Sequence, residues 1–138
     1  MADGQRTSTD WRQGHVLHPE AAASLGLPVS EGPEQTVVVM VTHDCDIAAS
    51  AEREPQVEVI VGRRIEQPGA DTNAKTARRL HLVFDVVGAE VSVELLAASK
   101  TQLPKQAVLE HPPLSNWSLT PESLVTLQHW LAARYRRA

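Results

Sequence analysis

The sequence predicts an α+β fold: a small antiparallel β-barrel or bent sheet of about five strands with a C-terminal amphipathic helix. Short apolar runs, alternating or continuous, follow one another with turn residues between them, which is typical of sequential antiparallel strands. No helical segments alternate regularly with these runs, so a doubly wound βαβ fold is disfavoured. Only the C-terminal segment repeats leucine at three- and four-residue steps, the period of one helix face.

Length and composition limit the class of protein. A chain of 138 residues predicts one domain, and 42% hydrophobic with 22% charged residues is a globular composition. Because aromatic residues make up only 4%, the core must consist mainly of Val, Leu, Ile and Ala. The formal net charge of −4 argues against a general basic coat for nucleic acid but leaves room for a local basic patch.

The chain carries no sequence signal for secretion or membrane insertion. Its single cysteine excludes an intrachain disulfide, and its longest apolar run, Val37–Val41, is too short to span a bilayer. Residues 1–10 are polar and lack the apolar core of a signal peptide, and we predict a disordered lead-in there. We therefore expect a cytoplasmic protein without membrane association, folded as a single domain over residues 11–138. The chain ends inside or just after a helix, as a fragment of a longer protein would.

The N-terminal part predicts a strand and a short helix. Trp11–Leu17 is apolar enough for a first strand, with Gly14 as a bend. Pro19 suits the first turn of a helix through the alanines that follow, and Gly26 suits its end. The Pro- and Gly-containing residues 28–35 predict a loop.

The central part predicts the body of the sheet. Thr36–Thr42 is the strongest strand, because four valines and a methionine occur together, as in a strand buried on both faces. Gln56–Val61 is a second strand, and the Gly- and Pro-containing residues 62–76 predict a long loop. Arg79–Val87 and Glu90–Leu96 alternate apolar and polar residues on either side of a short turn, which predicts an antiparallel hairpin.

The C-terminal part predicts one more strand and the closing helix. Lys105–Leu109 is a candidate for a short edge strand among proline-punctuated residues. Thr120, Pro121 and Glu122 provide a capping hydroxyl, a proline at the first helical position and an acid in the first turn. The apolar face of the helix that follows is formed by Leu124, Leu127, Leu131 and Tyr135.

The sharpest functional feature is the segment Thr42-His43-Asp44-Cys45-Asp46, directly after the most hydrophobic strand. Functional side chains often lie at strand ends, because a rigid sheet holds them there. In an extended chain His43 and Cys45 would face one way and the two aspartates the other, whereas a turn would let all four converge. In the structural alternative the aspartates close an Asx turn and Cys45 is a small buried apolar residue.

Two kinds of metal site are compatible with this segment. A hard divalent cation such as Mg²⁺ would be held by Asp44 and Asp46 with Glu58, and would activate water or polarise a phosphate. Zinc would prefer His43 and Cys45 together with distant histidine ligands. The histidines available for that role are His15, His18 and His81.

Cysteine chemistry is the remaining use of the segment. Cys45 would act as a thiolate nucleophile if a histidine activated it and an aspartate oriented that histidine. A thiol-based redox sensor is a related possibility, and it requires Cys45 to be exposed.

A basic segment follows the second strand. Residues 63–79 carry a net charge of +3 in an otherwise acidic chain. The candidates for substrate binding are Lys75, Arg78 and Arg79, whose charges suit phosphate, although a solvated basic face would show the same pattern. His81, on the polar face of the next strand, is a candidate general acid or base or a structural histidine.

Two motifs resemble a group of uncharacterised bacterial proteins that share an H-D-C-D-I strand end and an R-x-L-H-L strand. Here they are His43-Asp44-Cys45-Asp46-Ile47 and Arg78-Arg79-Leu80-His81-Leu82. The resemblance covers most of the chain and implies no particular activity. In those relatives the chain continues past the C-terminal helix.

A weaker, fold-level likeness is to the small barrel of the PemK/MazF ribonuclease toxins. An early Gln13-Gly14 pair, a strand-rich chain and a C-terminal helix are the shared features. The Arg-Arg-Pro stretch expected before the central strand of that family is missing here. The likeness therefore implies a barrel and says little about function.

The leading hypothesis is that the chain is an enzyme-like domain of hydrolase or nuclease type that acts on a phosphate-containing substrate. Nucleic acid is the first candidate for that substrate. The basic segment would hold phosphate, the His43–Asp46 segment would perform the chemistry, and His81 would serve as acid or base. A divalent metal ion, Mg²⁺ or Zn²⁺, is the only cofactor this hypothesis includes. The alternative is a non-catalytic binding or regulatory module that contacts one partner through the basic loop and docks the C-terminal helix onto a protein.

Overall fold

An antiparallel sheet forms the body of the protein in the computed structural model, which describes residues 9–29, 35–67 and 78–136. Within these residues seven strands form a nearly closed barrel, in the order β1-β2-β3-β5-β4-β7, with β6 paired to β3. The strands are β1 (Val16–Leu17), β2 (Thr36–Met40), β3 (Gln56–Ile65), β4 (Arg79–Val86), β5 (Ala89–Leu96), β6 (Lys100–Pro104) and β7 (Trp117–Leu119). The helices are α1 (Pro19–Ser24), α2 (Asp44–Ala48), α3 (Lys105–Leu109) and α4 (Pro121–Arg136). The predicted α+β class is confirmed.

Strand β2 separates two hydrophobic cores, which explains its continuous apolar sequence. Val37 and Val39 face the inner core of the barrel, which Leu127 and Trp130 of α4 close. The alternate residues of β2, including Met40, face an outer core that lies beneath the short helices. Side chains alternate between the two faces of a strand, and both faces of β2 are covered. All of its side chains are therefore buried and can be apolar.

Helix α4 closes the barrel because one of its faces is apolar. Leu127 and Trp130 are fully buried against the sheet, whereas Val125 and Gln128 on other faces are exposed. Thr120 caps the helix by accepting a hydrogen bond from the Ser123 backbone N–H. No helix in the described part of the chain is both long enough and apolar enough to cross a bilayer.

Strand β3 is the longest strand and joins three neighbours. Along one edge it pairs with β2, and along the other it pairs first with β6 and then with β5. The change of partner occurs around Gly62, where an added Cβ atom would lie 2.7 Å from the Glu94 carbonyl oxygen. A glycine therefore allows β3 and β5 to approach closely at the point where the sheet bends.

Several predicted boundaries change in the structure. Lys105–Leu109 is a helix and not an edge strand, because Lys105 and Val108, three residues apart, are both buried on the side that faces the outer core. In the Trp11–Leu17 segment only β1 is a strand, although Gly14 and His15 also exchange backbone hydrogen bonds with Met40. Strand β3 extends to Ile65 and takes in the start of the predicted loop. Strands β6 and β7 were not predicted. Residues 1–8 of the predicted lead-in, residues 30–34 of the first predicted loop and residues 68–76 of the second lie outside the described residues.

The predicted hairpin is present, and its turn contains a strained residue. Val87 and Gly88 link β4 and β5 with φ angles of 53° and 85°, the left-handed conformation that a two-residue hairpin turn requires. Valine is poorly suited to this conformation, and the side chain of Val87 is 81% exposed, so little packing compensates for the strain.

Replacing Val87 with asparagine is expected to stabilise the protein by about 1 kcal/mol, because asparagine adopts the left-handed conformation at lower cost. Urea unfolding of the two proteins measures the difference. Val87→Thr is the matched control, since threonine keeps the branched Cβ and gains only polarity. A stabilisation by threonine as large as that by asparagine would contradict the explanation.

Candidate functional site

The His43–Asp46 segment forms the beginning of helix α2. His43 precedes the first helical residue, and its ring Nδ1 accepts a hydrogen bond from the Cys45 backbone N–H at 3.1 Å. The segment therefore turns at the strand end. Ile47, which is 1% exposed, anchors the short helix in the outer core. Because Nδ1 accepts, a neutral His43 ring carries its proton on Nε2.

A buried lysine holds helix α2 from below. Lys105 is completely buried, and its Nζ donates to the carbonyl oxygens of Asp46 at 2.6 Å and Ala49 at 2.8 Å. Burial lowers the pKa of Lys105, and the nearby charges of Glu54 and Asp46 oppose that shift. The lysine thus satisfies carbonyl groups at the end of the helix, where the helix itself offers them no partner.

A glutamine from the N-terminal segment ties α2 to the rest of the fold. The Gln13 backbone N–H donates to Asp44 Oδ1 at 2.8 Å, and the Gln13 side-chain amide donates to the Val41 carbonyl at 2.9 Å. Gln128 of α4 in turn donates to Gln13 Oε1 at 3.2 Å. The carboxylate of Asp44 therefore contributes to local structure.

Part of the predicted cluster lines a groove of about 540 Å³ between α2, β3 and α4. His43, Asp46 and Glu58 all line it, whereas Asp44 and Cys45 are not among its lining residues. Cys45 is exposed, so it is not the small buried residue of the structural alternative. The other lining residues are Gln13, Val41, Thr42, Gln128, Leu131 and Ala132.

The structure gives no support to the predicted metal sites. Among the described residues, no three His, Cys, Asp or Glu side chains are grouped so that they could hold a metal ion. The trio of Asp44, Asp46 and Glu58 and the zinc set built on His43 and Cys45 therefore stay predictions. Glu58 lies 3.5 Å from the Nζ of Lys100.

A second cluster lies on the outer face of the sheet and surrounds Glu94. Glu94 Oε2 lies 3.0 Å from His81 Nε2, and Glu94 Oε1 lies 3.0 Å from Arg63 Nε. Arg79 Nε lies 3.9 Å from Glu94 Oε2. Glu94 and His81 are each only 8% exposed, whereas the side chains of Arg63 and Arg79 are 66% and 53% exposed.

Strand register brings these residues together. Glu94 of β5 is directly opposite His81 of β4 on one side and Arg63 of β3 on the other. Directly opposed residues of antiparallel strands place their side chains on the same face. Burial raises the pKa of Glu94, but the hydrogen bonds with His81 and Arg63 outweigh it and leave that pKa below its ordinary value.

His81 and the groove belong to different sites. Glu58 and Arg63 are five residues apart along β3, which places them on opposite faces and about 16 Å apart along the strand. Glu58 lines the groove, and Arg63 is the cross-strand neighbour of the His81–Glu94 pair. The structure therefore divides the predicted single site into two.

Arg63 and Arg79 lie beside Glu94, and we call these two exposed residues the arginine surface. Arg64 and Arg78 are exposed as well. Arg64 is paired with Val93, a residue of the inner core, so its side chain lies on the opposite face of β3 from Arg63. Arg63 and Arg64 line an open cavity of about 670 Å³, and Arg63 also lines one of about 180 Å³ together with Glu94. Lys75, the third predicted phosphate ligand, lies outside the described residues.

Two contacts of the basic residues were not predicted. Glu94 completes the cluster, and the Trp117 ring lies 5.9 Å from the Arg64 guanidinium carbon. The sequence held a signal for Glu94, because a two-residue turn at Val87 and Gly88 places residue 94 opposite residue 81. It held none for Trp117, which belongs to an unpredicted strand.

Comparisons of the chain with protein-family models, with curated proteins and with solved structures give no match. The two resemblances noted in the sequence therefore stay predictions. Function must be argued from the geometry of the groove and of the arginine surface.

Proposed function

We propose that this chain is an enzyme-like domain of hydrolase type that acts on nucleic acid, which it binds at the arginine surface. The observation that supports the proposal is the convergence of Arg63, Arg79, His81 and Glu94 on one face of the sheet. Guanidinium groups can bind a phosphodiester, and a carboxylate or an imidazole beside them can transfer protons to and from the attacking and leaving oxygens.

Phosphate binding follows from the exposure of the arginines. Arg63 donates its Nε–H to Glu94, and its guanidinium carries further N–H donors on a side chain that is 66% exposed. An anionic polymer would gain from this local positive charge although the whole chain carries −4.

The chemistry would centre on Glu94. Its lowered pKa keeps the carboxylate ionised at neutral pH, and it lines the cavity of about 180 Å³ together with Arg63. Glu94 would accept the proton of the attacking hydroxyl as the new P–O bond forms and would return it to the oxygen that leaves as the old P–O bond breaks. The arginines would stabilise the charge that develops on the phosphate, and His81 would orient the carboxylate.

A binding module without catalysis is the second candidate. Glu94 and His81 are nearly buried, and a carboxylate with a lowered pKa is a weak general base. In that case the Glu94 network would hold the arginines in position and the surface would bind nucleic acid without cleaving it.

The test uses fluorescently labelled single-stranded RNA and DNA, followed by anisotropy for binding and by electrophoresis for cleavage. Replacing both Arg63 and Arg79 with glutamine is expected to weaken binding by about tenfold and to lower its salt dependence. Glu94→Gln is expected to slow cleavage by about a hundredfold while binding persists, because it removes the proton acceptor and leaves the arginines. Arg53→Gln is the control, since Arg53 is exposed in the turn that follows α2.

The outcomes separate the two candidates. Binding without cleavage by the wild type would favour the module, and binding that both arginine substitutions leave unchanged would place it elsewhere on the protein. An absence of binding to either nucleic acid would overturn both candidates.

A further inference from the structure

We propose that the nucleic acid bound at the arginine surface is single-stranded and that one of its unpaired bases enters a small pocket beside Arg63 and Glu94. The observation that carries this inference is a row of apolar side chains next to the charged row on the outer face of the sheet. The inference rests on the proposed function, because it names the substrate class of the same site.

Strand register places the charged row and the apolar row side by side. Arg63 and Glu94 are directly opposed on β3 and β5. Val61 and Leu96 lie two residues away from them along the same two strands, and side chains two residues apart share a face. Arg79 is directly opposite Leu96 on the next strand. An apolar side chain therefore adjoins both the carboxylate and a member of the arginine surface.

The apolar row forms the wall of the cavity of about 180 Å³, which we call the base pocket. Val61 packs against the outer core, whereas the side chain of Leu96 is 40% exposed. Complete small-molecule sites usually measure about 300–1,000 Å³, so this pocket has room for one ring system and not for a whole nucleotide. The residues that line the base pocket are Pro28, Thr36, Val61, Gly62, Arg63, Glu94 and Leu96.

The position of the base pocket suits a base whose own phosphate is bound by an arginine. Two residues along a strand span about 7 Å, so the apolar walls lie about one sugar ring away from the charged row. A phosphate at Arg63 would therefore have its base within reach of Val61 and Leu96. The base would also cover Leu96, which removes exposed apolar surface from water.

The need for an unpaired base excludes a regular duplex as the preferred ligand. Bases of a duplex are stacked and paired inside the helix, whereas those of a single strand can turn outward into a protein pocket. Phosphate contacts alone would favour the duplex, which carries more charge for its length. Preference for a single strand thus distinguishes the base pocket from binding by charge alone.

The test compares labelled DNA probes by fluorescence anisotropy. The probes are oligothymidylate, a strand of the same length built from abasic residues, and the duplex of oligothymidylate with its complement. The abasic strand keeps every phosphate and lacks the bases, and we expect it to bind about tenfold more weakly than oligothymidylate. The duplex is also expected to bind more weakly than oligothymidylate, although it carries twice the charge.

A substitution in the pocket wall locates the effect. Leu96→Thr is expected to weaken oligothymidylate binding about fivefold and to leave binding of the abasic strand unchanged, because threonine suits a strand and removes apolar area. Val125→Thr is the matched control, since Val125 is a 50% exposed apolar residue of α4 that does not line the pocket. If Leu96→Thr does not fold, Pro28→Ser on the pocket wall replaces it with the same expected result.

The outcomes separate this inference from the proposed function. Equal affinities for the intact and abasic strands, or for the single strand and the duplex, would overturn the base pocket and leave phosphate binding at the arginine surface standing. Equal weakening of both single strands by Leu96→Thr would also overturn it, because the substitution would then act on the surface as a whole. If none of the probes binds, the proposed function fails and this inference fails with it.

Discussion

Replacing Gly62 with alanine is expected to lower the free energy of unfolding by about 3 kcal/mol. The new Cβ atom would lie 2.6 Å from Leu95 Cδ2, 2.7 Å from the Glu94 carbonyl oxygen and 3.3 Å from the Val37 carbonyl oxygen. A leucine methyl group can move aside, but the Glu94 carbonyl belongs to the backbone of the paired strand β5. The methyl group therefore forces β3 and β5 apart where the sheet bends.

Urea unfolding monitored by circular dichroism measures this effect, with Gly88→Ala as the control. Gly88 has a φ of 85° and open space around its missing Cβ, so its substitution tests backbone conformation without crowding. We expect Gly88→Ala to lower the free energy of unfolding by about 1 kcal/mol. A smaller loss for Gly62→Ala than for Gly88→Ala would show that the strands separate easily. The Gly62 variant should also weaken nucleic-acid binding, because the displaced segment carries Glu94.

The fold class was predictable because it depends on local patterns. The alternation in β4 and β5 and the continuous apolar run of β2 each show which faces are buried, whatever the partner strand. Lys105–Leu109 was assigned wrongly because five residues are too few to show a helical period. Its helix is stabilised by what lies around it, since Lys105 and Val108 are completely buried beneath other elements.

The candidate sites were predictable only where neighbours in sequence are neighbours in space. His43 and Asp46 meet at the groove because one short turn carries both. His81 was assigned to the same site because residue types suggest chemistry without showing which face of the sheet they occupy. Its actual partner, Glu94, is selected by the register of a hairpin, and a shift by one residue would have placed it on the other face.

Replacing Lys105 with alanine is expected to destabilise the protein by about 3 kcal/mol, as much as the Gly62 substitution. The substitution removes a completely buried aliphatic stem and two hydrogen bonds to the end of α2. The control is Lys100→Ala on β6, where a half-buried ion pair with Glu58 is expected to be worth less than about 1 kcal/mol.

Lys105→Met separates the two contributions, because methionine keeps most of the stem and removes the ammonium group. We expect Lys105→Met to lower the free energy of unfolding by about 1 kcal/mol, because the carbonyl groups of Asp46 and Ala49 lose their hydrogen-bond donor. Hydrogen exchange at the amides of α2 should then rise while exchange in β2 and β3 stays slow, since the Lys105 ammonium group donates to carbonyls of α2 and of its C-terminal cap. If methionine instead stabilises the protein and α2 stays protected, the desolvation of the ammonium group outweighs its hydrogen bonds. The lysine would then be retained for the position of His43 and Asp46, since it holds the helix that carries both.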